Sequence, residues 1–121
     1  MSRDPNNDRG GFVISDEVLA AIAVTAAQGV EGVSAIVPRA SGLTHLLKKE
    51  LRMAKITGSE AEVTVELLLR LRADAKLTTV AGRVQRAVKE ALQGMTDRTV
   101  ARVNLKIMGV DERHKNQERM L

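Results

Sequence analysis

Residues 63–72, Val63-Thr64-Val65-Glu66-Leu67-Leu68-Leu69-Arg70-Leu71-Arg72, decide how this chain folds. Val63, Val65, Leu67, Leu69 and Leu71 alternate with Thr64, Glu66, Leu68, Arg70 and Arg72. Successive side chains of a strand point to opposite faces, so this period-two pattern predicts a long strand with one buried face. A helix would scatter the same residues around its circumference. Just upstream, Gly58-Ser59-Glu60 reads as a hairpin loop. Just downstream, Asp74-Ala75-Lys76 reads as a loop, and Thr78 or Thr79 is placed to cap a helix. That helix carries Val80, Val84, Val88, Leu92 and Met95 on one side, with Ala81, Ala87 and Ala91 beside them. Arg83, Arg86, Lys89 and Glu90 take the opposite side. Gly82 falls inside this helix, where Gly is about 1 kcal/mol worse than Ala, and so points to close packing against a neighbour. A last strand is expected from about Val100 to Met108, with Val103, Leu105 and Ile107 on one face and Arg102, Asn104 and Lys106 on the other.

The N-terminal half follows the same grammar. Gly11-Phe12-Val13-Ile14 reads as a short first strand, with Phe12 sized to plug the end of the core. Ser15 is a good N-cap, and Asp16 and Glu17 suit the positive end of a helix. Val18, Leu19, Ile22, Ala23, Ala26, Ala27 and Val30 recur at helical spacing over residues 16–29, and Gly29 and Gly32 end the helix. Val33 to Val37 reads as a strand ended by Pro38. Residues 39–55 support two readings: one short basic amphipathic helix, or a helical turn followed by a strand from about Glu50 to Thr57 with Leu51 and Met53 facing in. The second fits the hairpin loop better.

One apolar face on each strand and one stripe on each helix call for two layers. The expected fold is α+β, a single two-layer sandwich. Its sheet is mixed or mainly antiparallel, with two main helices on one face, in the order β-α-β-β-β-α-β. Residues 1–10 read as a disordered leader, 11–110 as the domain, and 111–121 as a charged C-terminal tail.

Composition narrows the chemistry. The chain has 121 residues, 19 Lys and Arg against 15 Asp and Glu, and a formal charge of +4. It holds one Phe, no Tyr, no Trp and no Cys. Aromatic base-stacking platforms and methyl-lysine cages are therefore excluded. So are disulfides, Cys-based zinc sites, thiolate-ligated clusters and a Cys nucleophile. No run approaches the roughly 18 apolar residues of a membrane span, and Met1 to Gly11 lacks the apolar core of a signal peptide. The expected location is the cytoplasm.

No catalytic set assembles from spacing. Asp16 and Glu17 are adjacent and do not converge on a helix. Glu66 reads as a solvated partner of Arg70. His45 and His114 lie apart, outside any metal or triad spacing, and read as surface residues. The glycines form neither of the phosphate-binding fingerprints GxGxxG and GxxxxGK[ST]. The sequence therefore predicts no catalytic residues, no cofactor and no metal. The candidate surface is basic: Arg70, Arg72, Arg102 and Lys106 on the open sheet face, with Lys48, Lys49 and Arg52 adjoining them. An open sheet can also pair edge to edge with itself or a partner.

The segment Gly11-Phe12-Val13-Ile14-Ser15-Asp16-Glu17-Val18-Leu19, with Ile22-Ala23, Ala26-Ala27 and Val30-Glu31-Gly32-Val33, resembles the start of the bacterial alkaline shock protein family. Val80-Ala81, Val84-Gln85, Val88-Lys89, Met95-Thr96, Val103-Asn104, Ile107 and Gly109-Val110 resemble that family's second helix and closing strand. The resemblance covers about residues 11 to 110 and departs at 39–55, where the family often carries a glycine-rich loop. It implies a small, non-enzymatic cytoplasmic protein of the envelope stress response. Such a protein acts through protein partners, a membrane-anchored one among them, and through self-association. The alternative is a nucleic-acid-associated regulator, or a binder of anionic membrane surfaces through Leu43, Leu46 and Leu47 beside Lys48 and Lys49. Nucleic acid is the less favoured partner because the sheet carries no aromatics.

Overall fold

The computed structural model describes residues 11–40 and 46–112. Its elements, in chain order, are α1 (Asp16–Gln28), β1 (Val33–Val37), α2 (Lys49–Met53), β2 (Ala54–Gly58), β3 (Glu62–Arg72), α3 (Leu77–Met95) and β4 (Thr99–Asp111). The decisive stretch forms β3, and its alternation is read out directly: Val63, Val65, Leu67, Leu69 and Leu71 are all 0–1% exposed, and the residues between them are not buried. β3 organises a four-stranded sheet. Along one side, β2 pairs antiparallel with residues 63–67 and β1 antiparallel with residues 68–71, so the two short strands lie end to end. Along the other side, β4 runs parallel to the whole of β3. The fold is α+β with a mixed sheet and both main helices over the inner face.

Local chemistry explains each element. The Ser15 hydroxyl accepts a hydrogen bond from the Val18 N–H at 3.3 Å and caps α1, whose first turn carries Asp16 and Glu17. Leu19, Ala20, Ala23 and Ala27 are fully buried in the core. The small alanine side chains let α1 lie close to its neighbours. Gly32 turns the chain from α1 into β1 with φ of +103°, and a Cβ there would stand 2.6 Å from Val80 Cγ2 on α3. Gly58 turns β2 into β3 with φ of +117°, and the Ser59 N–H donates to the Glu62 carbonyl at 2.8 Å across the hairpin.

The structure corrects several sequence expectations. Gly11 to Ile14 form no strand, so the order begins with α1 rather than with β. Both sides of β3 are already occupied, and Phe12 is 68% exposed instead of plugging the core. The stripe Val80, Val84, Val88, Leu92 continues by four to Thr96, which is buried and donates its hydroxyl to the Leu92 carbonyl. Met95 falls off that stripe and is 69% exposed. The residue before α3 is Lys76, with no side-chain cap, so neither Thr78 nor Thr79 caps it. Gly82 faces solvent, and a Cβ there would meet nothing within 4 Å, so close packing does not explain it.

Residues 49–53 are helical because the Lys48 carbonyl accepts from the Leu51 and Arg52 N–H groups. β2 therefore starts at Ala54, four residues later than expected, although Leu51 and Met53 still pack against the core. β4 runs on to Asp111, into the stretch read as tail. Residues 1–10, 41–45 and 113–121, including the expected leader, Leu43, His45 and His114, lie outside the described residues.

Candidate interaction surface

The seven basic candidates do not form one patch. Lys48 precedes α2, which packs on α1, and its ammonium lies 3.2 Å from the Glu17 carboxylate. Lys49 and Arg52 belong to α2 itself. These three sit on the helix side of the molecule, away from the open sheet face. The other four are on that face but spread along it. Arg102 stands beside Thr64 near one end, Lys106 beside Leu68 in the middle, and Arg70 and Arg72 at the far end. At a rise of about 3.3 Å per residue, Thr64 and Arg72 are about 26 Å apart.

Partners neutralise half of the open-face set. Arg70 Nε donates to Asp111 Oδ1 at 2.8 Å, its Nη2 donates to the same oxygen, and the Ser34 hydroxyl donates to Oδ2 at 2.5 Å. The bond from Arg70, then that from Ser34, holds the Asp111 carboxyl below the usual carboxylate range, and Asp111 raises the Arg70 guanidinium in turn. Gly109 makes room for this arrangement: a Cβ there would stand 2.5 Å from Arg70 Nη1. Arg72 pairs with Asp74 at 3.4 Å. Glu66 is not the partner of Arg70. Four residues of strand separate them by about 13 Å, and the cross-strand neighbours of Glu66 are Lys55 and Asn104. Arg102 and Lys106 remain exposed and outside any ion pair among the described residues.

The outer edge of β4 is the second feature. β4 pairs with β3 and with no other described strand. At its start the edge is capped by side chains of α3: Gln93 Oε1 accepts from the Val100 N–H at 3.0 Å, and Gln85 Nε2 donates to the Val103 carbonyl at 3.1 Å. The two amides stand where the peptide groups of a further strand would be. An open groove of about 490 Å³ runs between α3 and β4 here, with Arg86, Lys89 and Arg102 in its lining against the single acid Glu90. Backbone groups alternate sides along a strand, so the N–H and C=O of Leu105 and Ile107 point outward like those of Val103. Their side chains are only partly buried against the core.

Sequence reasoning missed Ser34, Asp111, Gln85 and Gln93. The first two meet only through the pairing of β4 with β3, which no local pattern reveals. The glutamines did carry a signal, because each follows a buried stripe residue, Val84 and Leu92, and so flanks the sheet-facing side of α3. Among the described residues, no three His, Asp or Glu side chains are placed to hold a metal ion, and no helix is long and apolar enough to cross a membrane.

Comparison with known proteins bears on the family and the fold. The model of the alkaline shock protein family, described as having a cell envelope-related function, matches residues 4–112. No curated protein sequence matches the chain. Among solved structures, a copper form of a MamM CTD variant is similar with a TM-score of 0.51 at 13% identity, covering 80% of this chain and 100% of that one. A zinc form of another variant gives 0.50 at 14% identity, over 79% and 87% of the two chains. At such identities the likeness concerns the fold alone.

Proposed function

Because the chain belongs to the alkaline shock protein family, with its cell envelope-related function, we propose that it is a non-enzymatic interaction protein. In this reading it serves the envelope stress response from the cytoplasm, binds protein partners near the membrane, a membrane-anchored one among them, and associates with itself. The observation that carries the reading is the uncovered sheet: a strand of 13 residues whose outer edge pairs with no other described strand, beside a face that no described element covers. Exposed strand edges are templates for pairing with another chain. The neutralisation of Arg70 and Arg72 counts against the nucleic-acid alternative, which needs several cations free for phosphates.

Affinity capture after crosslinking in cells tests the proposal. A reproducible protein partner in the envelope fraction is expected. Capture of no partner, together with turnover of a metabolite by the purified chain, contradicts it. Direct membrane contact is a second reading, favoured by Leu46 at 69% and Leu47 at 37% exposure next to Lys48 and Lys49. Co-sedimentation with anionic vesicles checks it; the double change Lys48→Glu with Lys49→Glu should abolish any binding.

A further inference from the structure

β4 has two chemically different sides along one open edge. Val103, Leu105 and Ile107 face the helices, while Arg102 and Lys106 face the open side with Asn104 between them. A strand added to this edge would continue the sheet, and its side chains would alternate in step with those of β4. Residues directly across from Leu105 and Ile107 would cover apolar surface that α3 leaves partly open. Residues on the other face would lie within cross-strand reach of Arg102 and Lys106, where opposite charges stabilise and like charges destabilise. The helix side adds Arg86 and Lys89 at the groove.

Resting on the reading as an interaction protein, we propose that the β4 edge binds an extended partner segment in which apolar residues alternate with Asp or Glu. The segment hydrogen-bonds the outward backbone groups of Leu105 and Ile107, beyond the stretch that Gln85 and Gln93 already cap. Its acidic residues pair with Arg102 and Lys106. A second copy of this chain fits the edge less well. The chain carries a net +4, and a second β4 would bring another Arg102 and Lys106 to the same seam.

The test uses the full chain and two labelled, end-capped eight-residue peptides, one alternating Val with Glu and one alternating Val with Lys. Fluorescence anisotropy at low salt should give at least tenfold tighter binding of the Glu peptide. Amide exchange should slow at Leu105 and Ile107 when that peptide is present. Changing Arg102→Glu together with Lys106→Glu should reverse the preference, and Arg102→Gln with Lys106→Gln should flatten it; circular dichroism confirms that each variant is folded. Equal binding of both peptides overturns the proposal, as does a preference unchanged in the reversed variant. Protection of the same amides that rises with protein concentration alone also overturns it, since a second copy then occupies the edge. If the peptides fail while crosslinking still captures a partner, the interaction role stands and the acidic strand falls.

Discussion

The two edges of the sheet are built differently. One is broken into β1 and β2, five residues each, laid end to end against β3. The break is bridged by Arg39, whose N–H donates to the Arg52 carbonyl at 2.8 Å and whose guanidinium donates to the Leu51 carbonyl. The other edge is the single strand β4, 13 residues long, with irregular register after Val100 and after Ile107. Short strands and local crossing contacts are ordinary ways to blunt an edge, and bulges are another. β4 has bulges near both ends and glutamine caps near its start, yet among the described residues no strand covers Leu105 to Ile107 between them. The difference is the ground for proposing that association is directed away from the split edge and toward the middle of β4.

Both edges share β3, so the largest effect comes from the shared floor. Leu69→Ala should cost about 2–5 kcal/mol in urea unfolding. Amide protection should then fall along β1 and β4 together, because both pair with β3 beside Leu69; loss on one edge alone would show that they are separate stability units. Gly32→Ala should act on the split edge, at about 1–3 kcal/mol, through its positive φ and the contact with Val80. Val80→Ala in the same chain should recover part of that loss, and simple additivity of the two changes would show that the contact is relaxed instead.

Gln93→Ala should act on the long edge only, at about 0.5–1.5 kcal/mol. It should speed exchange of the Val100 amide and leave Leu105 as it was. The smallest effect is expected at the pinned end of β4. The Asp111 carboxyl is held below its ordinary range in the folded chain, so its bonds from Arg70 and Ser34 stabilise above the unfolded-state pKa, about 3.9 for Asp. That stabilisation is lost as pH falls through the depressed folded value. The gap in unfolding midpoint between the wild type and Asp111→Asn should therefore be present at neutral pH and close in acid. A gap that widens in acid contradicts the pairing.

How much of this is legible in the sequence follows from range. β3, α1 and the valine stripe of α3 declare themselves because burial imposes a local period, and Ser15 declares itself because capping acts over three residues. The end-to-end placement of β1 and β2 leaves no local trace, since each pairs with a distant part of β3. The run Phe12 to Ile14 resembles a strand by composition, but it pairs with no strand, and Phe12 and Val13 stay exposed at 68% and 80%. The basic candidates read as one patch in the sequence, yet of those on the open face only Arg102 and Lys106 lie outside an ion pair. The partner of Arg70 lies 41 residues away at Asp111, and that carboxylate also reaches Ser34, 77 residues away. No spacing rule reaches so far.

Lys55 on β2 and Asn104 on β4 are both exposed and flank the same residue of β3, Glu66, one on each side. The chain has no cysteine of its own, so Lys55→Cys and Asn104→Cys give a matched pair of single crosslinking sites. With a short thiol-directed crosslinker in cells, Asn104→Cys should yield a discrete partner adduct and Lys55→Cys should not. Adducts of equal yield from both sites, or from Lys55→Cys alone, would contradict the assignment of association to the β4 edge.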